Sequence, residues 1–374
     1  MDRFSILAHL PVLAALVLAA CGGGGNDGAP PGPASPQGGY VATALVDGPD
    51  APAQVPAARS TDPRLVDAWG IAIASTGDAW VASQAGASAR HYDAAGGFVP
   101  VAVELEEGGA GTARPTGVVS NDSRNFTVSQ AGRSGTCSVI AVGLSGTIDC
   151  WAPDVGAAGR AIRVVDGAAP GALYTGAAID RRGDAVAFLL AADFRQGRID
   201  IFGSDFSRMD DVPAFVDAQL PAGLAPFGIQ AIGERIYVAY AQRDGQGQPA
   251  TGPGLGCIDV FDTHGHLLKR LVGPGGPLNA PWGMAQAPAD FGAFGNALLV
   301  ANLGDGRINA FDIETGHFLG ALAMPGGRPI AIDGLRGIAF GRAVPGSQVE
   351  AATLFYTAGP ADGRRGVYGR IDSR

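Results

Sequence analysis

The feature that most constrains this chain is a glycine that recurs six times, each time opening a short apolar run. The glycines lie 47 to 59 residues apart, a period typical of propellers and other repeat arrays. They are Gly70, Gly117, Gly176, Gly228, Gly283 and Gly337.

Each repeat continues with a second and a third strand-like segment in the same order. The second segments include 79–83, 126–129 and 235–240, and the third include 138–142, 197–202 and 366–371. Since a strand and its loop take little more than about ten residues, one period holds about four strands. The chain is therefore predicted to be all-β, a six-bladed β-propeller with four-stranded blades. We interpret the repeated glycines as packing residues around the axis rather than as ligand contacts.

Closure of the ring is predicted from a strand count. The sixth repeat ends after its third strand at Ile371, whereas residues 40–46 form a strand-like segment with no repeat of their own. An open propeller would expose a sheet edge. We therefore expect the N-terminal segment to supply the outer strand of the last blade, making residues 40–374 one propeller domain.

The first 39 residues have the pattern of an export signal. Residues 1–20 contain an apolar stretch that ends in small residues before Cys21, which predicts a lipoprotein signal peptide whose cleavage leaves a lipidated Cys21. The alternative is ordinary signal cleavage with an incidental cysteine. Residues 21–39 are rich in glycine and proline and predict a flexible tether. Glycine at position 22 favours the outer membrane, by similarity to lipoprotein sorting, so we expect a cell-envelope protein anchored to the membrane through lipid.

The net charge bears on possible partners, and the cysteines bear on a possible disulfide. The formal charge is −9 with no basic patch, which argues against nucleic acid as a partner. Cys137 and Cys150 flank a predicted hairpin and could form a disulfide in an oxidising compartment, or could be two half-buried residues on adjacent strands. Cys257 lies in a predicted strand and is expected to be a buried thiol.

Several segments resemble an uncharacterised family of exported bacterial proteins. They include the sequences GRIDIF at 197–202 and GRINAF at 306–311, and the resemblance covers residues 40–373. It implies a six-bladed propeller similar to NHL-repeat proteins. It implies no activity, cofactor or catalytic residue.

Candidate site residues come from the geometry of a propeller. The loops that enter the first strands and leave the second strands share one face, around the axis. Aromatic, amide and charged side chains placed there are typical of a small-molecule site, although the same side chains could instead seal the channel. The predicted ligand-binding residues are Trp69, Asp193, Arg195, Tyr240, Trp282, Asn302 and Arg336.

The function predicted from these features is a non-catalytic binding or scaffolding module displayed at the cell envelope. Its partner would be a small molecule or an envelope protein. No motif for a catalytic nucleophile, a metal or a cofactor was found, so we predict none of these. The alternative is an extracytoplasmic propeller enzyme, lactonase- or lyase-like, with its site at the axial funnel.

Overall fold

The computed structural model describes residues 38–49, 58–105, 113–167, 171–182, 186–210, 214–342 and 351–374. These residues form six small antiparallel sheets arranged in a ring, joined by turns and one 3-10 helix, Gly292–Phe294. This confirms the predicted all-β, six-bladed propeller. The predicted signal peptide, Cys21 and most of the tether lie outside the described residues.

Each blade runs outward from an inner strand at the axis; five blades have the predicted four strands, whereas blade 3 has three among the described residues. The six inner strands are Ala68–Ile73, Pro115–Ser120, Tyr174–Arg182, Leu224–Ile232, Pro281–Gln286 and Leu335–Phe340. The second strands are Ala79–Ser83, Val139–Gly143, Val186–Asp193, Arg235–Gln242, Leu298–Asn302 and Leu354–Ala358. The third strands are Ser88–Tyr92, Thr147–Trp151, Arg198–Phe202, Gly256–Asp262, Ile308–Phe311 and Val367–Ser373. The outer strands of blades 1, 2, 4 and 5 are Val103–Glu104, Ile162–Asp166, Leu267–Val272 and Phe318–Ala321.

The repeated glycines sit where neighbouring inner strands approach most closely. A β-carbon added at any of the six would come within 3.2 Å of backbone atoms of the next inner strand around the ring. The approaches join Gly70 to Thr116, Gly117 to Ala177, Gly176 to Phe227, Gly228 to Trp282, Gly283 to Arg336 and Gly337 to Trp69. The period in the sequence therefore reflects one steric requirement, met once in each blade.

The N-terminal strand closes the ring as predicted. Tyr40–Asp47 pairs antiparallel with Val367–Ser373 as the fourth strand of blade 6, and Ser60–Thr61 adds a short parallel segment outside it. The Tyr40 hydroxyl donates to the carbonyl oxygen of Phe291 at 3.1 Å, which ties this strand to blade 5. Blade 6 is thus built from both ends of the propeller.

Blade 2 differs from the prediction. Residues 126–129 were expected to be its second strand and residues 138–142 its third. Instead, Thr127–Gln130 pairs with Arg133–Thr136 in a separate hairpin, and Val139–Gly143 is the second strand. Three of the four residues in Thr127–Gln130 are exposed, whereas every residue of Val139–Gly143 is buried. A central strand is covered on both faces by neighbouring blades, so the buried segment takes that position. The inserted hairpin also accounts for the longest glycine spacing, between blades 2 and 3.

A disulfide links the start of the second strand of blade 2 to its third strand. Cys137 and Cys150 have their Cα atoms 5.5 Å apart, and both are fully buried. Cys257 is a buried free thiol. In the part of the chain that the structure describes, no helix is long and apolar enough to cross a membrane.

Candidate functional site

The two ends of the propeller axis differ. We call the end where the inner strands begin the entry face and the end where they finish the exit face. At the entry face the rings of Trp69, Phe227 and Trp282 meet edge to face, with centroids 6.4 Å apart for Trp69–Phe227 and 6.3 Å apart for Trp69–Trp282. The indole nitrogen of Trp282 donates to the carbonyl oxygen of Thr175 at 2.8 Å. This axial plug, made of three rings from blades 1, 4 and 5, also reaches blade 3 through that bond.

A buried ion pair lies beside the axial plug. The Arg336 guanidinium bonds the Asp67 carboxylate and stands 4.3 Å from the centroid of the Trp69 ring, a cation–π distance. Burial lowers the pKa of Arg336 and raises that of Asp67, while the attraction between the two opposes both shifts. Trp69, Trp282 and Arg336 are therefore the three predicted site residues that the structure brings together. The hydrogen bonds and ring contacts described for them join them to one another and to neighbouring protein groups, and their role as ligand contacts stays a prediction.

The other four predicted residues are not gathered at the axis. Two of them hold turns in place through hydrogen bonds to the backbone. The Asp193 carboxylate accepts from the backbone nitrogens of Leu173 and Gln196 at 3.1 and 3.0 Å, and burial raises the pKa of Asp193. Asn302 does the same for the backbone around Asn279. Tyr240 is buried within the core of blades 3 and 4, and Arg195 is exposed. Their role as ligand contacts stays a prediction.

The exit face contains an open cavity on the axis. Its volume is about 400 Å³, and residues from the second half of most inner strands and from the middle of the blade 3 strand line it. Most lining side chains are aliphatic, including Ile73, Ile179 and Ile232. Because each inner strand bonds a neighbour on one side only, its other backbone edge faces this space.

Four polar side chains border this exit-face cavity. They are Ser120, Gln230, Gln286 and Arg342. Both glutamines are exposed at the rim, and Arg342 bonds the Asp122 carboxylate at 2.9 Å. The lining thus combines aliphatic side chains with exposed backbone edges and a few polar side chains, and the volume lies inside the usual 300–1,000 Å³ of ligand pockets.

Sequence reasoning did not select these residues. The glycine period located the inner strands, but the strand ends at the exit face read as ordinary strand residues followed by turns. Their one signal in the sequence was a glutamine within or at the end of an otherwise apolar strand, Gln230 in one and Gln286 in another. Among the described residues, no three His, Cys, Asp or Glu side chains are grouped so as to hold a metal ion.

Sequence similarity to two viral proteins shows the family of this chain. Uncharacterized protein R648 of Acanthamoeba polyphaga mimivirus is 33% identical over 293 residues, covering 75% of this chain and 70% of that protein. The chain belongs to its family. Uncharacterized protein L690 of the same virus is 32% identical over 286 residues, covering 74% of each chain. No family model matches the chain, and the resemblance to exported bacterial proteins stays a prediction.

Solved structures agree on the fold alone. A structural genomics protein of unknown function from Bacteroides thetaiotaomicron has a TM-score of 0.54 at 10% identity, covering 90% of this chain and 77% of that one. A virginiamycin B lyase, an aldose sugar dehydrogenase and a gluconolactonase resemble it with TM-scores of 0.46 to 0.49. At that level the three enzymes carry no argument about activity.

Proposed function

We propose that this protein is a binding module that holds a small molecule in the exit-face cavity. The observation that supports this most is the difference between the two ends of the axis: aromatic rings pack against one another at the entry face, while about 400 Å³ is open at the exit face. The aliphatic wall offers burial of apolar surface, and the rim offers amide, hydroxyl and guanidinium groups. A ligand with an apolar body and a polar or anionic end fits this chemistry.

An exported, lipid-anchored location is part of the proposal. It is supported by the small residues that precede Cys21 and by the glycine- and proline-rich stretch after it. Replacing Cys21 with Ser is expected to move the protein from the membrane pellet to the soluble fraction when it is expressed in a bacterium with two membranes. A variant that stays in the pellet would remove the anchor from the proposal and leave the cavity unaffected.

The cavity can be tested with a fluorescent probe of matching chemistry, 8-anilinonaphthalene-1-sulfonate, which has an apolar body and one anionic group. Gln286→Trp places a large ring at the exposed rim of the cavity without altering the core, and should weaken probe binding by about tenfold or more. Gln246→Trp is the matched control, because Gln246 is equally exposed but lies in the turn after the second strand of blade 4, at the entry face.

Equal affinity for the probe in both variants would contradict the proposal. The enzymatic alternative has its own outcome in the same variants. If the wild-type protein hydrolysed a lactone and Gln286→Trp lost that turnover while Gln246→Trp kept it, catalysis at this cavity would replace binding as the function.

A further inference from the structure

A second cavity lies on the exit face, away from the axis, between blades 1 and 2. It has a volume of about 550 Å³. We call it the inter-blade groove. Its walls come from the turn after the inner strand of blade 1, the turn after the inner strand of blade 2, and the strands that carry Trp80, His91 and Trp151. Ser120 borders both this groove and the axial cavity.

Three aromatic rings form the apolar part of the groove. Trp80 and His91 are cross-strand partners in blade 1 and stack with centroids 4.0 Å apart and planes 7° apart. Trp151 comes from blade 2, with its centroid 5.4 Å from that of Trp80 and its plane tilted by 53°. Trp80 is buried, whereas Trp151 and His91 are half-buried. The three rings therefore form one continuous aromatic wall, in which Trp151 and His91 present the accessible surface.

Hydroxyl groups form the polar part. Ser120, Thr136 and Ser138 are half-buried in the groove, and among the described residues their hydroxyls form no side-chain hydrogen bond. Each can donate one hydrogen bond and accept others. The Asn121 amide, by contrast, already has protein partners, because it donates to the carbonyl oxygens of Asn125 and Cys137, each at 2.9 Å.

The imidazole of His91, which also lines the groove, lacks hydrogen-bond partners among the described residues. Both of its ring nitrogens are buried, and within the described residues neither has a hydrogen-bond partner. The Asp78 carboxylate stands 3.7 Å from Nε2, beyond hydrogen-bond distance. Such groups are rare in folded proteins because an unpaired buried polar atom is costly. A neutral imidazole has one donor and one acceptor, so a ligand hydroxyl, which both donates and accepts, could satisfy either nitrogen once the ring shifts to expose that nitrogen to the groove.

We propose that the inter-blade groove binds a saccharide ring. A pyranose has a flat face of C–H groups that can pack against an indole, and an edge of hydroxyls that can bond Ser120, Thr136, Ser138 and His91. An aromatic wall beside three hydroxyls that form no side-chain hydrogen bond among the described residues matches that pattern, and the volume of the groove accommodates one or two sugar units. This site is separate from the axial cavity and does not depend on the function proposed there.

The test uses the whole chain and a panel of glucose, galactose, N-acetylglucosamine, cellobiose and maltose at millimolar concentration. Saturation-transfer NMR should detect binding of at least one sugar, and calorimetry should then give its affinity. Trp151→Ala should weaken that affinity by about tenfold or more, as loss of an aromatic anchor does. Phe318→Ala removes an exposed ring from blade 5 and is the matched control, with unchanged affinity expected.

Two further variants keep the result decisive. Thr136→Tyr leaves both indoles in place and fills the groove, so it should abolish sugar binding even if Trp151→Ala fails to fold. His91→Phe preserves the stack on Trp80 but removes the ring nitrogens; it should bind the sugar more weakly while melting at a higher temperature, because two unpaired buried groups are gone.

The outcomes separate this site from the axial one. Absence of binding by every sugar in the panel, or binding that Thr136→Tyr leaves intact, would overturn the proposal. Sugar binding lost in Gln286→Trp but kept in Thr136→Tyr would assign the sugar to the axial cavity, overturning this proposal while supporting the other.

Discussion

Replacing Gly228 with alanine should destabilise the propeller far more than the same change at Gly176. A β-carbon at position 228 would lie 2.8 Å from the carbonyl carbon of Trp282 and 3.0 Å from its Cα, with the carbonyl oxygen closer still. At position 176 the nearest atom, the carbonyl oxygen of Phe227, would be 3.2 Å away. Neither glycine has a positive φ. The two variants therefore differ in space and not in backbone strain.

The magnitude follows from these distances. Ordinary contact begins near 3.4 Å, so the Trp282 carbonyl carbon alone would require its strand to move by about 0.6 Å and the closer carbonyl oxygen would require more, whereas about 0.2 Å suffices at position 176. That strand is held by the Trp282 bond to Thr175 and by the axial plug. Overpacking of this kind costs about 1–3 kcal/mol and occasionally more. Because the added β-carbon would meet backbone atoms of Trp282 and not a flexible side chain, we expect about 3 kcal/mol for Gly228→Ala. For Gly176→Ala, the loss is offset by about 0.4–1 kcal/mol from the stiffer unfolded chain, leaving a value near zero.

The assay is denaturant unfolding of both variants and the wild type, followed by tryptophan fluorescence. We expect a lower midpoint for Gly228→Ala and an unchanged midpoint for Gly176→Ala, with similar slopes. Trp282 should also report a changed environment in the folded Gly228→Ala protein. Equal midpoints in the two variants would refute the argument that the space available at each repeated glycine determines the cost of adding a β-carbon there.

Three further predictions concern other parts of the fold. Replacing both Cys137 and Cys150 with serine should lower the free energy of unfolding by about 3 kcal/mol, as expected for a bridge that spans 13 residues, and reductant should then have no further effect on the variant's midpoint. Deleting Tyr40–Asp47 should lower the melting temperature sharply because it reopens the edge of blade 6; a melting temperature equal to that of a control lacking residues 22–37 would contradict the closure. Burial lowers the pKa of His91 in the folded protein. Below about pH 6.5 the His91 side chain is therefore protonated more readily in the unfolded chain than in the folded chain. The free energy of unfolding should then fall by up to about 1.4 kcal/mol per pH unit as the pH decreases below that point. The His91→Phe variant should show a shallower decline over the same range, and identical slopes would show that His91 is not the group responsible.

Much of the architecture could be predicted from the sequence because its cause is local and repeated. One glycine per blade meets one close approach at the axis, and apolar segments of strand length follow it at regular intervals. Counting the strands in each repeat showed that blade 6 lacked an outer strand and that residues 40–46 belonged to no repeat, so this segment could be assigned to that position. Blade 2 was misassigned because residues 126–129 have the composition of a strand, and only the burial of Val139–Gly143 by both neighbouring blades decides which segment is central.

The candidate sites, by contrast, depend on side chains that the fold brings together from distant positions. The sequence indicated that Trp69, Trp282 and Arg336 would lie near the axis, but whether they line an open funnel or fill it depends on the direction of each ring. Trp282 bonds a carbonyl oxygen 107 residues away and meets Trp69 edge to face. The inter-blade groove likewise needs Trp151 of blade 2 to face the pair of rings on blade 1. Local pattern determines which residues form strands, whereas the packing of one blade against another decides which cavities remain open and what lines them.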